Sequence, residues 1–156
     1  MNHILNTPFA VLFLVTTVTM VGCNDGRLRT EPVRGIVTLD GAPLDGASVT
    51  FTPKNPDEGA IGFARTNERG EYLLQTMAGN PDAGTLPGEY IVTISKYRAV
   101  PTGRKVPAPG SGELVDDIEN VLIFPGMARY INPDTTPFSA TVVRGRNQFD
   151  FDLESE

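Results

Sequence analysis

Side chains able to do chemistry are few in this chain and unevenly placed. Its 156 residues include one histidine, His3, and one cysteine, Cys23. Ser-His-Asp and Cys-His mechanisms need an imidazole to take up a proton, and zinc sites are built mostly from His and Cys. Beyond Cys23 the chain has neither type, so the expectation is a protein that is not an enzyme, with no catalytic residue, no cofactor and no metal. Carboxylates are left, and Asp116, Asp117 and Glu119 form their densest group. Such acids can act in glycoside hydrolysis or bind Ca²⁺. The regular spacing of a Ca²⁺ loop is missing and the chain has no tryptophan, so they are read as solvated acids. Arg98, Arg104 and Lys105 lie across the same segment and are read as their counter-ions. Tyr97, Arg98, Arg129 and Tyr130 make a second set, of residue types enriched at interfaces. Each tyrosine equally suits a core position with its hydroxyl at the rim. The expected partner-contact residues are therefore Tyr97, Arg98, Arg104, Lys105, Arg129 and Tyr130.

The charge balance narrows the partners. Thirteen Lys and Arg against nineteen Asp and Glu leave a formal net charge of -6. A nucleic-acid partner would need a basic face to neutralise phosphates, so none is expected. One cysteine cannot form an internal disulfide, and the cellular compartment must be read from the N-terminus instead.

From Pro8 to Val21 the chain reads PFAVLFLVTTVTMV, fourteen residues without a charge. A membrane-spanning helix needs about 20 such residues, whereas the apolar region of a secretory signal takes roughly 7 to 15. The alternative is a buried N-terminal strand with Cys23 as a small core hydrophobe. MVGC, ending at Cys23, is similar to the lipobox of bacterial lipoproteins, in which the cysteine is acylated and becomes the first residue after cleavage. Met20 stands where leucine is usual, and MNHILN carries no Lys or Arg. The resemblance implies a signal peptide over 1–22, Cys23 as the lipid attachment, a lipidated cysteine and tether over 23–32, and a location in the cell envelope, exported and membrane-anchored. The nine tether residues NDGRLRTEP reach at most about 30 Å when extended.

After the tether the apolar residues recur with a period of two, which places one face of a strand in a core. Ala47, Val49 and Phe51 alternate with Ser48 and Thr50; Tyr90, Val92 and Ile94 share a face; Phe149, Phe151 and Leu153 alternate with Gln148, Asp150 and Asp152. Further strands are expected over 33–39, 61–66, 71–76, 121–124 and 138–143, about eight in all. Asp40-Gly41, Asp45-Gly46, Gly70 and Gly145 supply turns between them. An all-β, antiparallel sandwich over 33–154 is the economical architecture. Residues 99–120 show no strand pattern, and a helical turn is expected from Ser111, with Leu114, Ile118 and Val121 on one face.

VRGIVTLDGAPLDGASVTFTP, ARTNERGEYLL and PGEYIVTISK follow one another in an order that resembles a carboxypeptidase regulatory-like domain. In the second stretch Asn67 replaces that family's usual aspartate. IFPGMARYINPDTTPFSATVVRGRNQFDFDL is similar to the C-terminal half of small bacterial envelope lipoproteins built on this domain, at Pro125, Arg129, Tyr130, Asn147, Phe149, Phe151 and Leu153. The resemblance implies a transthyretin-like (prealbumin-like) sandwich of seven to eight strands. It implies a non-catalytic structural or protein-interaction module held at the membrane by its lipid, meeting an envelope protein or polysaccharide. A carbohydrate-binding module, with exposed aromatics as a platform, is the alternative.

Overall fold

The structure is a computed structural model that describes residues 29–76 and 84–155. Cys23, the 1–22 signal and most of the 23–32 tether lie outside those residues. The described chain is mostly strand: β1 (Val33–Leu39), β2 (Ala42–Pro43), β3 (Ser48–Pro53), β4 (Gly62–Arg65), β5 (Glu71–Leu73), β6 (Gln75–Thr76), β7 (Gly88–Ser95), β8 (Tyr97–Pro107) and β9 (Leu114–Leu122). A 3-10 turn (Pro125–Met127) and the one-turn helix α1 (Ala128–Ile131) follow, and then β10 (Ser139–Val142), β11 (Asn147–Gln148) and β12 (Phe151–Leu153). All-β is thus the observed class.

In the first sheet β1 is central. It pairs antiparallel with β2 and β5 on one side and parallel with β11 and β12 on the other. The parallel pairing departs from an all-antiparallel expectation. It arises because the C-terminal segment returns to β1 after a long passage through the second sheet, where no hairpin dictates its direction. The second sheet is antiparallel, in the order β10-β7-β3-β4-β6. The expected strand over 71–76 divides at buried Leu74, where pairing passes from β1 to β4. Asp40 and Gly41, both at positive φ, close the β1–β2 hairpin.

The alternating residues supply one core. Val49 and Phe51 of β3, Tyr90, Val92 and Ile94 of β7, and Phe151 and Leu153 of β12 are all buried. Phe51 from the second sheet meets Tyr72, Phe149 and Phe151 of the first, with ring centroids 6.1–6.4 Å apart. The inner faces of the two sheets therefore pack on each other, and each large side chain so buried contributes about 1.5–3 kcal/mol.

Residues 99–120 are not a loop and hold no helical turn. They form most of a third, two-stranded sheet, the antiparallel ribbon β8–β9, with an irregularity between Pro101 and Lys105. Leu114 and Ile118 are four apart, so they share a face in a strand as well as in a helix, while Val121 falls on the other face. Helical spacing and strand spacing coincide there, and the pairing across the ribbon decides between them. Val121 and Leu122 end β9, and Ile123 and Phe124 lie beyond it.

Candidate functional site

The candidate site is the β8–β9 ribbon, an arm, together with its root at Lys96. Lys96 is held through its backbone: its N–H donates to Met127 Sδ at 3.1 Å, and its carbonyl accepts from Ile123 N–H at 3.2 Å. Beyond this anchor the arm leaves the core. Tyr97 is 52% exposed, Leu114 61% and Ile118 55%. Cross-strand partners share a face, so Tyr97, Pro101, Ile118 and Leu122 line one side of the arm and Arg98, Val100, Glu119 and Val121 the other. Pro101 and Pro107 lack N–H groups, which suits unpaired edge strands.

The acidic cluster is split by the same alternation. Asp116 pairs with Lys105 at 2.8 Å on one face. Asp117, on the other, accepts from Arg104 at 2.8 and 3.2 Å and from Thr102 Oγ1 at 2.9 Å. The counter-ion reading of Arg104 and Lys105 is thus realised across two strands rather than within a loop. Among the described residues no group of three or more His, Cys, Asp and Glu side chains is placed to hold a metal ion.

The fold does not assemble Tyr97, Arg98, Arg129 and Tyr130 into one surface. Tyr97 and Arg98 sit at the base of the arm. Tyr130, on α1, is 1% exposed. Its ring stacks on Phe138 at 5.4 Å, and its hydroxyl accepts the Glu154 N–H at 2.9 Å and a bond from Arg129. The Arg129 guanidinium lies over the same ring, 4.6 Å from its centroid. The hydrogen bond to Tyr130 raises the pKa of Arg129 further, with Glu154 adding to it. This pair therefore ties the C-terminal strand to the core, and the contact role expected of Tyr130 is corrected by its burial.

Two residues that the sequence reading passed over as site candidates border the arm. Arg65 on β4 and Ser48 on β3, opposite each other in register, line a cleft of about 480 Å³ with Ser95, Lys96, Tyr97 and Asn120. A neighbouring groove of about 730 Å³ shares Ser48 and Arg65 and runs to Phe63, 45% exposed. The outward parity of Ser48 and Arg65 was legible as strand alternation, but nothing in the linear order brings them beside Tyr97.

The chain matches no family model, and no curated protein matches it. Among solved structures it is similar to a 9R-lipoxygenase from Cyanothece PCC8801, with a TM-score of 0.39 and 12% identity over 81% of this chain. It is also similar to a chlorocatechol 1,2-dioxygenase from Pseudomonas putida, with a TM-score of 0.36 and 16% identity over 85% of this chain. The chain spans 16% of the first protein's length and 62% of the second's. Both neighbours bear the names of enzymes, and on that finding the expectation that this protein is not an enzyme is corrected and withdrawn. The sequence argument had excluded only imidazole and thiol chemistry, which leaves other mechanisms open. At these TM-scores neither activity passes to this chain.

Proposed function

We propose that this protein is a lipid-anchored component of a cell envelope that works as a structural or protein-interaction module, built on a prealbumin-like sandwich of the carboxypeptidase regulatory-like kind. MVGC at Cys23 and the uncharged run before it support the anchor. Two sheets sharing one aromatic core, with strands on the VRGIVTLDGAPLDGASVTF, GEY and FDFDL stretches, support the sandwich. The observation that carries the interaction role is the arm. An eleven-residue strand paired with a nine-residue one leaves apolar side chains on both faces in water. A lone two-stranded ribbon is marginally stable, and exposed apolar surface of this kind marks contact sites. A partner laid along one face of the arm would cover Leu114 and Ile118, with the Lys105–Asp116 pair at its rim.

The test is photo-crosslinking in cells from a probe at Arg104, with mass spectrometry of the adducts and of the peptide that holds Cys23. A discrete protein adduct and an acylated Cys23 are expected. Absence of any protein adduct from Arg104 and from a second probe at Ile118 would remove the interaction role. A Cys23 still joined to Gly22 and unmodified would remove the anchor.

A further inference from the structure

We infer that the cleft between the outer face of the second sheet and the root of the arm binds an anionic polysaccharide, through the carboxylate of a uronate unit. Two cations, Arg65 and Lys96, line it and no carboxylate does, in a chain whose net charge is -6. Neither cation is in an ion pair among the described residues, and although Arg34, Arg98, Arg144 and Arg146 are unpaired there too, these two line one cleft. A local positive site in an acidic protein is charge-complementary to an anion, and an Arg fork matches a carboxylate with two parallel hydrogen bonds.

Local backbone features shape the cleft. The Arg65 guanidinium lies over Gly46, 3.3 Å from where a Cβ would stand, so a larger residue there would displace it. Lys96 is fixed at both backbone groups by Ile123 and Met127. Beside the cations the exposed Tyr97 ring offers an apolar face to the C–H side of a sugar, and Ser48, Ser95 and Asn120 offer hydroxyl and amide groups to its rim. The floor runs on through Thr50 and Thr93, cross-strand neighbours, to Phe63 opposite Thr50. Phe63 stands two residues along β4 from Arg65, about 7 Å away, which gives room for successive units of a chain. Strand β3 beneath is paired on both sides, so the floor presents side chains rather than a backbone edge. That favours a glycan over an extended acidic peptide. The inference does not depend on the anchor at Cys23 or on a partner for the arm.

The experiment is calorimetric titration of the full chain with oligogalacturonate of defined length. Parallel titrations use an uncharged cello-oligosaccharide, polyglutamate and anionic phosphatidylglycerol vesicles. Oligogalacturonate is expected to bind best, and raising salt from about 50 to 300 mM to weaken it several-fold. Arg65→Gln and Lys96→Gln should each weaken it about tenfold or more, and Tyr97→Ala comparably. Arg104→Gln removes the same charge from the arm and should change little. No heat with oligogalacturonate overturns the proposal, as does equal loss in Arg104→Gln, which would mean diffuse attraction. Tighter binding to polyglutamate, or vesicle binding that Arg65→Gln and Lys96→Gln weaken more than they weaken oligogalacturonate binding, overturns it in favour of those surfaces.

Discussion

Gly35 governs how close the C-terminal segment comes to β1. A Cβ at that position would lie 1.7 Å from the Phe149 carbonyl oxygen, which also accepts the Tyr72 hydroxyl at 2.8 Å. Burial, and after it the charge of Asp150, pushes the Tyr72 phenol well above its usual range, so it remains the donor. Backbone cannot yield as a flexible side chain can. Gly35→Ala should therefore destabilise the domain by about 3 kcal/mol or more in urea unfolding. A second residue, Asn67, organises the turn before β5: its Oδ1 accepts from the N–H groups of Arg69 and Glu71, and its Nδ2 donates to Glu71 Oε2. That last bond is the main reason the Glu71 carboxyl titrates below its ordinary 4.5, with Arg69 adding to it. Because the folded value is the lower one, the contribution to stability is present above pH 4.5 and is lost as pH falls through the folded value. In Asn67→Ala, NMR titration should find the Glu71 pKa moved back up, and stability below pH 4.5 should fall less steeply than in the wild type. An aspartate at this position would accept the same backbone bonds but, when ionised, could not donate to Glu71, so the amide has a local use.

Among the elements, the arm is the one least tied to the core. Its two strands contact mainly each other, with Leu122 at the root packed against the core, and its cations are exposed, the Arg104 side chain 78% accessible beside a half-buried Asp117. Exposed pairs contribute about 0–1 kcal/mol, so Arg104→Ala should shift the unfolding midpoint little. Replacing residues 99–120 by a short turn should leave the two main sheets folded, with a stability change under about 1 kcal/mol by thermal unfolding. Backbone amides of β8 and β9 should exchange with solvent faster than those of β3 and β7, which lie inside the second sheet. Slow exchange across the arm would show that it is held by contacts beyond its own pairing. The turn before β11 is the opposite case. Buried Asn147 bonds Val143 N–H and the carbonyls of Val143 and Gly145 through one amide, and Glu31 accepts the Gly145 N–H at 2.9 Å. Asn147→Ala leaves those backbone groups without partners and should cost about 1–3 kcal/mol.

For the whole molecule the proposed anchor and the domain separate cleanly as measurements. Cys23→Ser should move the protein from the membrane fraction to the soluble one without changing the unfolding midpoint. Its strand periodicity and Asp-Gly turns were readable in the linear order, because burial of alternate side chains and positive φ at glycine are local requirements. Val49 with Phe51, Tyr90 with Ile94, and Phe151 with Leu153 all face the core as that period demands. The arm was not readable. Pro101, Gly103 and Pro107 interrupt its pattern, and a strand exposed on both faces has no hydrophobic alternation to reveal it. Nor could order along the chain say that Tyr130 is enclosed while Tyr97 is free, since each follows or precedes an arginine and only the packing of Phe138 distinguishes them. Composition and spacing by themselves determined an all-β chain, acidic and poor in imidazole and thiol. Which strands neighbour β1, that β12 runs parallel to it, and that Arg65 and Lys96 line one cleft with Tyr97 were decided only by tertiary structure, because such placements depend on pairing between segments far apart in sequence.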